Sequence, residues 1–106
     1  MITPLNAALS VAAAGDNTAI TGITGVNLKI WKVVITNGVA TAQTVTLKDG
    51  ALTSLTGAMP LATSIGAQLI LGDGINPLFI LTSGNAFIVN LLNATNVAGF
   101  IQYTLA

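Results

Sequence analysis

Apolar and polar positions alternate with a period of two over Thr44-Val45-Thr46-Leu47-Lys48. That spacing predicts a strand with Val45 and Leu47 facing a core and Thr44, Thr46 and Lys48 facing water. Similar short apolar runs recur along the chain, separated by turn residues: Gly15-Asp16-Asn17, Gly22, Gly25, Asn37-Gly38, Asp49-Gly50, Gly57, Gly72-Asp73-Gly74, Ser83-Gly84-Asn85 and Asn93-Ala94-Thr95-Asn96. The runs predict strands over Asn17–Ile23, Val26–Thr36, Gln43–Asp49, Ala51–Leu55, Ala67–Leu71, Leu78–Leu81, Ala86–Leu92 and Val97–Leu105. Strands of this length with turn signals at 8–12-residue spacing predict an all-β protein, a jelly-roll-like or Greek-key β-sandwich of about eight strands. Asp49-Gly50 reads as a tight hairpin turn, in which glycine supplies a positive φ. Asn93–Asn96 reads as the loop of a second hairpin. Met59–Ser64 reads as a crossover, because Pro60 cannot donate to a ladder.

Other strands do not alternate. Leu78-Phe79-Ile80-Leu81 is apolar on both faces, and Ala86–Leu92 sets Phe87, Val89 and Leu91 on one face and Ala86, Ile88, Asn90 and Leu92 on the other. Leu28–Ile35 moves its lysine from one face to the other between Lys29 and Lys32; a bulge at Trp31-Lys32 or cover on both sides accounts for that. A two-layer sandwich leaves one face of each sheet wet, so strands apolar on both faces need a further cover. The simplest cover is another copy of the chain, because obligate interfaces resemble a core cut in half. The residues expected at such an oligomer or capsid interface are Leu78, Phe79, Ile80, Phe87, Ile88 and Leu92.

Composition narrows the chemistry. Only 6% of the 106 residues are charged: Lys29, Lys32, Lys48, Asp16, Asp49 and Asp73, with no Arg, Glu, His or Cys. Disulfides, Cys/His metal sites, a Cys or His nucleophile and a Ser-His-Asp triad are therefore excluded. Three isolated lysines make no phosphate-backbone patch, so no nucleic-acid partner is expected. The 14 Thr, 11 Ile and 8 Val favour pleated structure over helix. Apolar residues make up 53%, yet the longest apolar stretch, Pro77–Leu92, is broken by Thr82, Ser83, Gly84, Asn85 and Asn90. It falls short of the roughly 20 residues of a spanning helix, and no membrane partner is expected. Met1–Ala14 has no lysine or arginine to open a secretory signal. It reads as a small-residue arm in front of a single domain over 15–106.

The remaining candidates are weak. Each aspartate sits beside a glycine, which points to turn chemistry before calcium binding or acid catalysis. Trp31, Phe79, Phe87, Phe100 and Tyr103 are spread as packing residues, without the acidic company of a sugar cleft. Asn93-Ala94-Thr95 matches a glycosylation sequon but lies in a turn. No acid/base pair, cofactor fingerprint or metal set is present, and the chain is not expected to be an enzyme.

The order of segments carries more. Gly15-Asp16-Asn17-Thr18 opens a strand, Gly25-Val26-Asn27-Leu28-Lys29-Ile30 follows, Thr56-Gly57-Ala58-Met59-Pro60-Leu61 lies mid-chain, and Gly99-Phe100-Ile101-Gln102-Tyr103 closes it. In this order the chain resembles small β-sandwich virion proteins of tailed bacteriophages, from about Gly15 to Tyr103. The resemblance implies a capsid decoration or cement protein on the virion surface, a homo-oligomer (commonly a trimer), with the major capsid protein as partner. Its chief competitor is a tail-fibre or receptor-binding module of the same machinery; a host-side lectin, adhesin or lattice subunit comes third.

Overall fold

Strand parity explains most of the architecture. The structure, a computed structural model, describes residues 4–105. It contains ten strands: β1 (Leu5–Val11), β2 (Gly15–Ile20), β3 (Leu28–Asn37), β4 (Gln43–Asp49), β5 (Thr53–Ser54), β6 (Met59–Leu61), β7 (Gln68–Leu71), β8 (Phe79–Ile80), β9 (Phe87–Leu91) and β10 (Val97–Leu105). Among the described residues there is no helix, and none that would be long and apolar enough to cross a membrane.

Two antiparallel sheets pack face to face. Sheet I has the order β1-β10-β3-β7, with β8 also on β3; sheet II has the order β2-β9-β4-β5, with β6 also on β4. β7 pairs with Val33–Thr36 and β8 with Lys29 and Ile30, so the two are one interrupted strand along β3. β5 and β6 divide the edge of β4 in the same way. Counting each interrupted strand once, the sheet orders become 1-8-3-6 and 2-7-4-5, the double Greek key of a jelly roll. The β-sandwich read from the sequence is therefore the observed fold, with ten segments filling the places of eight strands.

The core lies between the sheets. Leu28, Ile30, Val33, Ile35, Val97 and Ile101 of sheet I meet Val45, Leu47, Phe87, Val89 and Leu91 of sheet II. In β3 the alternation slips once, so that Ile30 and Val33 both face inward. Gln102 pairs with Lys32 and Tyr103 with Ile30, leaving Trp31 unmatched. Of the two explanations for the shifted lysine, the bulge at Trp31-Lys32 is the one present. Trp31 points outward and donates from Nε1 to Thr104 Oγ1 at 2.9 Å.

Three sequence expectations change. Met1–Ala14 is not simply an arm: Leu5–Val11 is the edge strand β1, paired residue for residue with β10. Its inward positions, Ala7, Leu9 and Val11, are small or moderate in size, so the apolar alternation is faint. Met1–Thr3 of that arm, and Ala106, lie outside the described residues. Asn93–Asn96 is not a hairpin loop, because β9 belongs to sheet II and β10 to sheet I. Met59–Leu61 is a short edge strand, and Pro60 is tolerated there because an edge position leaves one side of the backbone unpaired. The Asp49-Gly50 hairpin is present, with Gly50 at φ 67° and Lys48 opposite Ser54.

Candidate functional site

The polar side chains inside the sandwich serve the connections. Along β4 the inward row runs Gln43, Val45, Leu47, Asp49: apolar in the middle, polar at both ends. Gln43 donates from Nε2 to Asn93 O at 2.7 Å and to Thr95 Oγ1 at 2.8 Å, and accepts from Asn93 N at 2.9 Å. Asn37, the last inward residue of β3, donates to Thr41 O at 3.0 Å and Ala62 O at 2.8 Å. Both side chains thus fasten the connections at one end of the sandwich, replacing backbone partners that the crossing chain cannot reach.

Asp49 does the same at the other end. It accepts from Thr82 N at 3.0 Å, Thr82 Oγ1 at 2.8 Å and Asn85 Nδ2 at 3.0 Å, and so ties the 82–85 turn to β4. Burial raises its pKa, but these donors outweigh burial and the net shift is downward from the ordinary 3.8. The folded state therefore favours the carboxylate. Its contribution to stability is complete above that ordinary value and is lost as pH falls through the lower, folded value. Asp49→Asn should cost about 2 kcal/mol at neutral pH, because an amide NH₂ then meets the donors that the carboxylate served. Urea melts between pH 7 and pH 2.5 check this: the wild type should lose more stability on acidification than the variant.

The other two aspartates act elsewhere. Asp16, in β2 and not in a turn, accepts from Asn90 Nδ2 at 2.7 Å and from Lys48 Nζ at 3.0 and 3.1 Å. The Asn90 and Lys48 hydrogen bonds hold its pKa below the usual range. Asp73 forms the turn expected of an Asp-Gly pair, accepting from Ile75 N and Asn76 N at 2.8 and 2.9 Å. The Asn76 and Ile75 amides lower its pKa as well. Among the described residues no three His, Cys, Asp or Glu side chains come together.

The six expected interface residues do not share one surface. Phe87 is fully buried in the core, because its parity matches Val89 and Leu91. Leu78 and Phe79 are half-buried against that core. Ile88 faces outward on sheet II but is only 6% exposed. Lys48 and Asp16 lie on strands flanking β9, about 10 Å apart, so their ion pair lays the lysine stem across β9 beside Ile88. Ile80 and Leu92 are open, at 58% and 66%, but Ile80 belongs to sheet I and Leu92 follows the end of β9 in sheet II.

The surface that does stand out is the outward face of sheet I. In register, Ala8 pairs with Phe100, Phe100 with Val34, and Val34 with Ile70. All four alternate with inward-facing neighbours, so they form one apolar row across β1, β10, β3 and β7. Phe100 is 37% exposed and Ile70 56%. Beside the row, Trp31 with Pro4, Gly74, Ile75 and Thr104 lines a hollow of about 250 Å³. Lys29 and Lys32 also point outward here, and neither has an ion-pair partner among the described residues. By contrast, sheet II shows water Thr18, Thr44, Thr46 and the Asp16–Asn90–Lys48 cluster. None of the four is among the expected interface residues: Phe100 reads in sequence as a packing residue, and Ala8 falls in the segment read as an arm.

A cleft of about 360 Å³ opens between the sheets where β1 and β2 form adjacent edges, lined by Ala7, Ala19, Ile23, Tyr103 and Leu105 among others. Two alanines facing one another across the sheets leave it unfilled. No protein-family model, curated protein or solved structure matches the chain.

Proposed function

We propose that the chain is a non-enzymatic virion structural protein that decorates or cements a bacteriophage capsid as a homo-oligomer, its sheet I turned toward the major capsid protein. The observation that carries this reading is the apolar row Ala8–Phe100–Val34–Ile70, unbroken across the outward face of sheet I. A row of apolar side chains that crosses a sheet gains free energy when covered, at roughly 25 cal/mol per Å² of apolar surface, and the polar rows beside it, Asn6–Gln102–Lys32 and Ser10–Ala98–Thr36–Gln68, form its rim. Lys29 and Lys32 beside the row favour an acidic patch on the covering surface. Binding of this kind stabilises the assembled shell, because a ligand that prefers the assembled state shifts the equilibrium toward it. The identity of the partner rests on the resemblance of the segment order to that of small phage virion proteins.

Cosedimentation with capsids lacking this chain tests the reading. The wild type should pellet with the shells, and the paired change Ile70→Asp and Phe100→Asp should abolish pelleting. Leu52→Asp, at the 98% exposed tip of the β4–β5 hairpin, should pellet like the wild type. No pelleting by the wild type, or loss with Leu52→Asp and not with the paired change, overturns the proposal.

A further inference from the structure

A jelly roll has four sheet edges, and each unpaired edge is a template for another strand. Three of them here are blunted. β2 carries Asp16 and a register shift between Thr18 and Ile20. The β5–β6 edge is interrupted between Ser54 and Met59 and contains Pro60. The β7–β8 edge is interrupted between Leu71 and Phe79 by a segment containing Pro77. β1 differs: it is seven residues long, pairs with β10 without a shift, and holds no charge, proline or glycine.

We propose that β1 pairs antiparallel with β1 of a second copy of this chain, about a two-fold axis through Ala8. That register pairs all seven residues: Ala8 with Ala8, Ala7 with Leu9, Asn6 with Ser10, and Leu5 with Val11. Inward-facing residues meet inward-facing ones, Leu5 and Ala7 against Val11 and Leu9. Outward, the polar Asn6 meets the polar Ser10. A shift by two residues in either direction leaves strand ends unmatched, and a shift by one sets inward residues against outward ones. The pairing extends sheet I to twice its width. The apolar row becomes Ile70–Val34–Phe100–Ala8 continued by its own mirror sequence, one face on which two copies present a single surface.

The cleft between the sheets supplies a separate reason. Ala7 lines it from β1, and Ile23 and Leu105 in its lining are each about half exposed, at 45% and 51%, as is Leu5 at the start of β1, at 45%. In the proposed pairing the inward side of the second β1 lies along the mouth of this cleft, with its Leu9 beside Ala7 and its Val11 beside Leu5. Apolar surface open on one copy is thus covered by the other. A three-fold ring, which the resemblance implies, cannot set an edge against itself, so the two arrangements differ in mass and symmetry. The pairing does not depend on the capsid reading, since it is measured without a shell.

Because residue 8 faces its own copy only in this register, charge at that position is diagnostic. Light scattering on the size-separated full chain should give twice 10.7 kDa for the wild type. Ala8→Lys and Ala8→Asp, each placing like charges opposite one another, should each give 10.7 kDa. An equal mixture of the two variants should return to the doubled mass, which also shows that both are folded. A wild-type monomer or trimer, a dimer that persists in either variant, or a mixture that stays monomeric would each overturn the proposal.

Discussion

Replacing Phe87 with alanine is expected to remove about 3–5 kcal/mol of stability, a large fraction of the 5–15 kcal/mol that holds an ordinary domain together. Phe87 is the largest fully buried side chain, the first inward residue of β9, opposite Ile20 of β2 and Asp49 of β4. Its loss leaves a cavity between two sheets that are each stiffened by their own ladders and held apart by the remaining core side chains, so the gap closes little. Urea denaturation should show a lower midpoint with an unchanged slope. Ile80→Ala and Leu92→Ala, at residues equally apolar but open to water, should change stability by less than about 0.5 kcal/mol. This contrast separates core from surface within a set of residues that sequence alone treats alike. A Phe87→Ala protein as stable as the wild type would mean that β9 is turned the other way.

Gly99→Ala should be comparably damaging for a different reason. Gly99 lies mid-strand in β10 at φ 152°, between Leu9 and Ile35. A methyl group there would fall onto the carbonyl oxygen of Val34, a backbone atom that cannot turn aside. The backbone conformation is itself one that side chains rarely adopt. Relief requires β10 to part from β3, which carries ladder hydrogen bonds at the centre of sheet I. The expected cost is about 3 kcal/mol or more, from strain together with weakened pairing. Gly57→Ala is the control: a Cβ there meets nothing within 4 Å, its φ is not positive, and the change should be neutral or slightly stabilising. Thermal melts of the two variants beside the wild type check both expectations.

How far the fold could be read depended on how strongly each strand alternates. Thr44–Lys48 alternates cleanly and emerged as the centre of β4. Lys29 and Lys32, on opposite parities, marked the bulge at Trp31. β1 was hidden because an edge strand built on alanine barely distinguishes its faces, and the same alanines read as a packing arm. The β9–β10 link was misread as a hairpin because turn residues announce a reversal without saying which sheet the chain enters.

The surface was legible only in part. Apolar residues on both faces of a strand do not say what, if anything, covers the second face: Ile80 and Leu92 are open, whereas Ile88 is buried. Ile88 stands in register between Lys48 and Thr18, and Lys48 reaches across β9 to Asp16, neighbours distant in sequence. Phe100 and Ile70 of the outward row stay open, at 37% and 56%, and the alignment of the row with Val34 and Ala8 emerges only from cross-strand register. Asp49 was readable as a turn residue, yet its inward parity with Val45 and Leu47 already set it apart from Asp73. A polar residue at the last inward position of a strand marks a buried tie to a connection, as Asn37 and Gln43 also demonstrate.

The proposed capsid role is tested most directly by cryo-electron microscopy of phage particles that carry this chain. Sandwich-shaped density is expected on the outside of the head shell, with Phe100 and Ile70 of sheet I turned toward the major capsid protein and the Asp16–Lys48 face of sheet II turned to solvent. Density confined to the tail or its fibres, or a sandwich seated on the shell through sheet II, would contradict it.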